Sequence, residues 1–329
     1  MKNIFLEQPR RGKTHEVETQ NFASLQLTPY KRSSVWGRLV LITFLLCFVL
    51  CLHAQRDSLA FVNGNWKTDT LDGMVLRQCQ FDEKQLFASN QQIFVLEIPD
   101  TAQYTLTFAH ESRRTKTSEM ALKYDAVAAV NGSFFDMEKH FPICYLRIDS
   151  VNLGENTPGK DTVNRKYYQY GTLCLGGDSV VILKTDSSRH WEDALPYSNI
   201  MTAGPLLIWH DTLQYMRNDR TFVTNRHNRT AVGIREDGTV LLFVADGRFK
   251  QAEGLSLTEL QHLLRWLGCR DALNLDGGGS TTMCLNLGDY QGVINCPSDN
   301  GRFDHEGERG VSNAVMVIKN AEFRIKNDE

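Results

Sequence analysis

"GLSLTELQHLLRWLGCRDALNLDGGGSTTM", Gly254 to Met283, reads as a helix, a strand and a glycine-rich loop in direct succession. Ser256 and Glu259 form a capping box, in which each side chain answers the other's backbone N–H. Leu257, Leu260, Leu264 and Leu267 recur at i, i+3, i+7 and i+10, which stacks them on one apolar face. Gly268 stands where a left-handed C-terminal stop belongs. His262 and Trp266 read as packing or surface residues of the same helix. The apolar run "ALNL" then reads as a strand, and Asp276 leaves it directly into Gly277, Gly278 and Gly279. Three consecutive glycines weaken a regular element by roughly 0.5–1 kcal/mol each relative to alanine, so the chain must gain something from them.

Outward from this stretch, short apolar runs separated by polar turns predominate from Gly73 onward. "QIFVLEI", "YTLTFA", "AVAAV", "ICYLRI", "SVVILK", "PLLIWH", "TVLLFVA" and "NAVMVI" read as strands. Asp237-Gly238, between "AVGI" and "VLLFVA", predicts a hairpin. A second helix, shorter, is expected over Ser118–Tyr124. The fold class that follows is α+β: strand-rich mixed sheets with a few helices. With 329 residues, 42% hydrophobic and 23% charged, the chain can bury a sizeable core. Its net charge of −3 argues against nucleic acid as a partner.

The amino terminus differs. Residues 1–38 are polar with an excess of Lys and Arg, and "LVLITFLLCFVLCL", Leu39 to Leu52, is uncharged. A run this short suits a signal-peptide core better than a full membrane span, which needs about 20 residues. Cleavage after Ala54 or retention as a signal-anchor are both open, and either exports the body to the periplasm or cell surface. Six cysteines remain beyond it, Cys79, Cys144, Cys174, Cys269, Cys284 and Cys296, with no Cys-x-x-Cys spacing for zinc. Buried free thiols are the expectation for most of them.

Three acids follow strands: Asp136, Asp246 and Asp276. An acid just past a buried strand sits at the rim of a sheet, where loops gather. Asp246 and Asp276 each precede glycine and are joined by one helix of the right length to bring the chain back to the same rim. Arg226, Arg229, Arg248 and Arg309 accompany them, and guanidinium forks suit a phosphate or sulfate. Arg226 reads as solvated surface. "GENTPGKD", Gly154 to Asp161, imitates a phosphate-binding loop until Asp161 stands where Ser or Thr is needed, so it reads as a plain loop. "DNGRFDHEGE", Asp299 to Glu308, is rich in oxygen ligands without EF-hand spacing. No cofactor is required by the sequence, and a divalent cation, Ca²⁺ or Mg²⁺, is the one left open. Asn131 and Asn228 open glycosylation sequons.

Taken in order, "NGSFFD", "TAGPLL", "RHNRTAVGI", "VADGR", the opening stretch and "GERGVSNAVMV" resemble the phosphodiester glycosidases, over roughly Ala126 to Ile318. The resemblance implies one main catalytic domain over 126–329, after a basic and apolar export region over 1–54 and a strand-rich part over 55–125. It implies hydrolysis of a sugar-1-phosphodiester with an N-acetylglucosamine-like sugar, or of a phosphorylated glycan, giving free sugar and a phosphomonoester. Carried over by motif, Asn131 and Phe134 would shape a first wall, with Asp136 at its end. Arg229, Asp246 and Arg248 would form a second. Asp276, Gly277, Gly278, Gly279 and Ser280 would make the floor, closed by Arg309 and Asn313. Asp276 or Asp246 would be the catalytic carboxylate, with Arg229, Arg248 and Arg309 neutralising the departing phosphate. The glycines would then turn successive N–H groups toward one point, a nest for the anion. After "NGSFFD" this chain has "MEKHFPICYL" where such proteins often continue with glycines, so the sugar pocket is its own. A non-catalytic surface glycan-binding protein on the same fold is the alternative. Membrane contact is expected only through the N-terminal segment, if it is kept.

Overall fold

The computed structural model describes residues 35–99, 103–157, 165–177, 179–186, 188 and 190–321. The chain divides into two units, Met1–Cys51 and Leu52–Glu329. In the first, the expected apolar segment is helical, within the helix Val35–Val62. Leu39, Val40, Leu41, Ile42 and Phe44 on it are exposed. Among the described residues, no helix is long and apolar enough to cross a membrane. The basic flank before Val35 and residues 158–161 of "GENTPGKD" lie outside the described residues.

Among the described residues, the second unit is strand-rich as expected, in three sheets whose paired strands are antiparallel throughout and not mixed. The largest runs, edge to edge, Lys67–Leu71, Met74–Leu86, Ser89–Ile98, Val240–Ala245, Arg229–Arg235, Cys269–Asn274, Leu206–Trp209 and Thr212–Leu213. A second contains Tyr104–Lys116, Gly310–Lys319 and Ala128–Asn131, with Met283–Leu287 and Tyr290–Val293 beyond. The third holds Leu146–Ile148, Val151–Gly154, Gly171–Gly176, Ser179–Lys184 and Asn199–Ala203. Residues 55–125 are woven into this body: Ser89–Ile98 pairs with Val240–Ala245, and Tyr104–Lys116 with Gly310–Lys319.

Strand alternation partitions the apolar side chains between two cores. Val240, Leu242 and Val244 face a core shared with Phe94, Val130, Leu173 and Val315, which draws on all three sheets. Leu241, Phe243 and Ala245 face the opposite way, against the capped helix. That is why "VLLFVA" is apolar without a break: both faces of the strand are covered. The helix, Leu257–Trp266, has the expected box, with the Ser256 side chain accepting from Glu259 N and the Glu259 side chain from Ser256 N. Leu257, Leu260 and Leu264 are fully buried and Leu267 nearly so. Each such side chain stabilises the fold by about 1.5–3 kcal/mol on burial. Gly268 takes φ +83, the left-handed stop. The Asp237-Gly238 hairpin also forms, with Gly238 at φ +85. All six cysteines of the body are free and buried.

Candidate active site

Val240–Ala245 and Cys269–Asn274 both pair antiparallel with Arg229–Arg235, which lies between them, so they run in the same direction. Both end on one rim, and the middle strand begins there: Arg229 faces Ala245, and Ala231 faces Asn274. The return helix therefore delivers Asp246 and Asp276 to one end of one sheet. A second sheet meets this rim, where Asp276 N donates to Gly132 O at 3.0 Å and Asn131 Nδ2 donates to Asp276 O at 2.7 Å.

The two acids have different surroundings. Asp246 is fully buried, with Oδ1 accepting from Asn295 Nδ2 and Oδ2 from Cys296 N, each at 2.8 Å. Its carboxylate thus holds the loop at Asn295 and Cys296, with both oxygens occupied. Asp276 is partly buried, with Oδ1 accepting from Gly277 N at 2.9 Å. The buried Ser280 hydroxyl lies close enough to favour the ionised form, yet it makes no hydrogen bond of full geometry. Burial lifts the Asp276 pKa to about 6, against the pull of Ser280, the Gly277 N–H, and the Arg309 and Arg248 charges. A carboxylate with that pKa beside two guanidiniums is poised for proton transfer or attack near neutral pH.

The glycines do not form the expected nest. Gly277 N is held by the Asp276 side chain, and Gly278 N donates to Asn228 O at 2.9 Å, so two of the three N–H groups already have partners. What the triplet supplies is room. A Cβ on Gly277 would come within 2.8 Å of Asn228 O, and one on Gly278 within 2.7 Å of Arg248 Nη2. One on Gly279 would overlap the Arg309 guanidinium. Gly278 also needs its φ of +63. Bare backbone therefore allows two guanidiniums to lie close over the loop beside Asp276. Arg309 is fixed there by Asp299, through Nε at 3.1 Å and Nη2 at 2.5 Å. Arg248 makes one long hydrogen bond, Nη1 to Ser298 Oγ at 3.4 Å. Arg229 is elsewhere. It is 2% exposed, and its Nε donates to Leu255 O while Nη2 donates to Phe222 O and Asn225 O. Burial pushes its pKa down to about 10, and it clamps three main-chain carbonyls in place of the expected phosphate.

The family profile for the phosphodiester glycosidases matches residues 124–318, more than half of the chain. The chain belongs to the phosphodiester glycosidase family. Human N-acetylglucosamine-1-phosphodiester alpha-N-acetylglucosaminidase is 28% identical over 188 residues, 53% of this chain and 35% of the human protein. The mouse protein of the same name is 48% identical over 65 residues, 20% of this chain and 12% of its own. This chain thus spans about a third or less of these curated relatives. The zebrafish catalytic domain of that name, solved auto-inhibited by its pro-peptide, has a TM-score of 0.58 at 17% identity, covering 78% of this chain and 88% of its own. A hypothetical protein from Synechocystis has a TM-score of 0.52 at 16% identity, covering 78% of this chain and 64% of its own. These two share the fold.

Other expected site residues lie around Asp276. Asn131 is fully buried; its Oδ1 accepts from Thr230 Oγ1 at 2.7 Å and Thr282 N at 3.2 Å, which makes it a brace under Asp276 and not a wall. Asn313 is buried too, with Oδ1 accepting from Ser133 N at 2.7 Å and Nδ2 unpartnered among the described residues. Phe134 packs at 4.7 Å on Tyr168 and 6.2 Å on Phe222, which builds an aromatic wall. Asp136 closes its own turn, accepting from Glu138 N and Lys139 N at 2.8 Å, and is taken up there instead of at the site. Both sequon asparagines are fully buried, so neither is a surface acceptor in the folded protein. Asn228, Asn295, Ser298 and Asp299 also hold this rim together through hydrogen bonds, which no motif in the sequence marks. His227 joins them: its ring is half-buried, and burial, then the Arg229 and Arg248 charges, hold its pKa below the usual value. Asp299 and Asp304 of the oxygen-rich loop bind Arg309 and Asn300. Among the described residues, no group of three His, Cys, Asp or Glu side chains is gathered to hold a metal.

Proposed function

We propose that this chain hydrolyses the C1–O bond of a sugar-1-phosphodiester with an N-acetylglucosamine-like sugar, releasing free sugar and a phosphomonoester. One observation carries the reading. Of the two acids that end strands on this rim, Asp276 is the one left accessible, flanked by Arg248 and Arg309, because Asp246 is sealed behind Asn295 and Cys296 and Asp299 is taken up by Arg309. Ordinary glycosides need two carboxyl groups, one of which protonates a poor leaving group. A phosphomonoester leaves readily without that proton, and nearby guanidiniums stabilise the charge it takes away. Asp276 then either receives the proton of an attacking water, or attacks C1 itself to form a glycosyl ester that water hydrolyses in a second step; in both routes the electron pair of the C1–O bond departs with the phosphate.

Hydrolysis of a sugar-1-phosphodiester in ¹⁸O-water tests the reading. Label is expected at C1 of the sugar. Label in the phosphate would mean P–O cleavage and overturn the mechanism, and saturable binding without turnover would favour a glycan-binding protein. We also propose that the body acts outside the cytoplasm, delivered by Leu39–Leu52 behind its basic flank. Recovery of the full-length chain in the soluble cytoplasm of its native host would rule that out.

A further inference from the structure

A groove of about 570 Å³ is lined by Lys84, Asn90, Arg226, Arg248, Phe249 and Lys250, with Glu253 the one acid in its wall. It shares Arg248 with the site, where that guanidinium packs on Gly278. The volume is that of a small-molecule subsite. Its frame is tied together: Lys84 N donates to Asn90 Oδ1 at 2.9 Å, Asn90 Nδ2 to Lys250 O at 2.8 Å, and Glu253 N to Asn90 O at 2.8 Å. The charges within it are unequal. Arg226 is neutralised by Glu259, which it grips through Nε and Nη2, and by Glu253 at 3.5 Å. Among the described residues, Lys84, Lys250 and Arg248 form no ion pair. With Glu253 and Glu259 set against its four cations, the groove keeps a surplus of two positive charges in a chain whose net charge is −3.

We propose that this groove binds the part of the substrate beyond the scissile phosphodiester, and that this aglycone carries a second phosphate. The inference rests on the function proposed above. Arg248 would contact the scissile phosphate, while Lys84 and Lys250 meet the second one. A neutral aglycone leaves both ammonium groups unanswered, so charge here sets which diester is preferred.

The test compares two synthetic diesters of N-acetylglucosamine-1-phosphate on the full chain, one with glycerol and one with glycerol 3-phosphate as aglycone. The phosphorylated diester is expected to have a kcat/KM higher by roughly two- to thirtyfold, the range that two exposed ion pairs span. The advantage should shrink at about 1 M salt, where screening acts over roughly 3 Å. In the double variant Lys84→Gln/Lys250→Gln the ratio of the two substrates should fall to about one. Equal kcat/KM for both diesters in the wild type, with turnover intact, overturns the proposal and leaves the proposed activity standing. Hydrolysis of neither diester removes the activity and this inference with it.

Discussion

Adding one methyl group at Gly279 perturbs the site without touching its acid. The new Cβ would lie within 2.5 Å of Arg309 Cζ and of Asp299 Oδ1, whereas ordinary van der Waals contact begins near 3.4 Å. The Arg309–Asp299 pair must therefore withdraw by about 1 Å, since two bonded groups cannot share that space with a methyl. Gly279 does not use the left-handed region, so its backbone accepts alanine without strain. The pair it displaces is partly exposed, which limits the stability loss to roughly 1 kcal/mol, or a few degrees in Tm. The catalytic cost is larger. A misplacement of about 1 Å costs on the order of 100-fold, and loss of one charge-stabilising donor roughly 100- to 1,000-fold. Gly279→Ala should therefore stay folded while its kcat/KM falls by about 100-fold or more. Steady-state kinetics beside thermal melting check this. A variant with kcat/KM within about threefold of wild type would show that the position of Arg309 does not matter, and the account of the glycine triplet would be wrong.

The other predictions concern the two acids. Asp276→Asn should lower turnover at least about 100-fold with the fold intact, as loss of a general base does; a variant keeping half the wild-type rate would exclude Asp276. In the wild type, kcat/KM should rise with pH through about 6, because burial keeps Asp276 protonated below that point. A rising limb near pH 4 would place the titrating group elsewhere. Burial likewise lifts Asp246 to about 6, so its ionised form weighs against the fold only as pH climbs above the ordinary carboxylate range. Asn295→Ala removes one donor from that carboxylate and should cost about 1–3 kcal/mol at pH 8 but less at pH 5, where Asp246 is protonated. Equal losses at both pH values, read by denaturant unfolding, would contradict this.

What the sequence revealed was what is local or periodic. The capped helix could be read because its box, its leucine face and its glycine stop all lie within one short segment. The shared rim of Asp246 and Asp276 could be read because a strand, a helix and a second strand leave few ways to connect. The hairpin of Lys67–Leu71 and Met74–Leu86 escaped, although Asp72 and Gly73 at its turn both take positive φ, because the polar strand "KTDTL" lacks the apolar signal. The direction of a guanidinium was not legible either. Arg229 and Arg309 look alike in sequence, but one points to three carbonyls and the other to Asp299, which is ten residues away and set by loop packing. The partners of Asp246 are farther still, at Asn295 and Cys296, and no spacing rule reaches them. The triplet was read as a set of donors because its N–H groups are visible in sequence, while the acceptors that occupy them are not.

The interlocked asparagines beneath Asp276 bear on how the protein is made. The Thr230 hydroxyl, part of the sequon that begins at Asn228, donates to the carboxamide of Asn131, which begins the other sequon. An oligosaccharyltransferase meets the chain before it folds, and sugar attached to either asparagine would have to fit where no solvent reaches. A eukaryotic secretory host should therefore yield misfolded glycoforms retained by quality control, with unmodified chains alone reaching the native state. A host without that enzyme should give homogeneous material, and intact-mass measurement of the soluble fraction from each would show the difference.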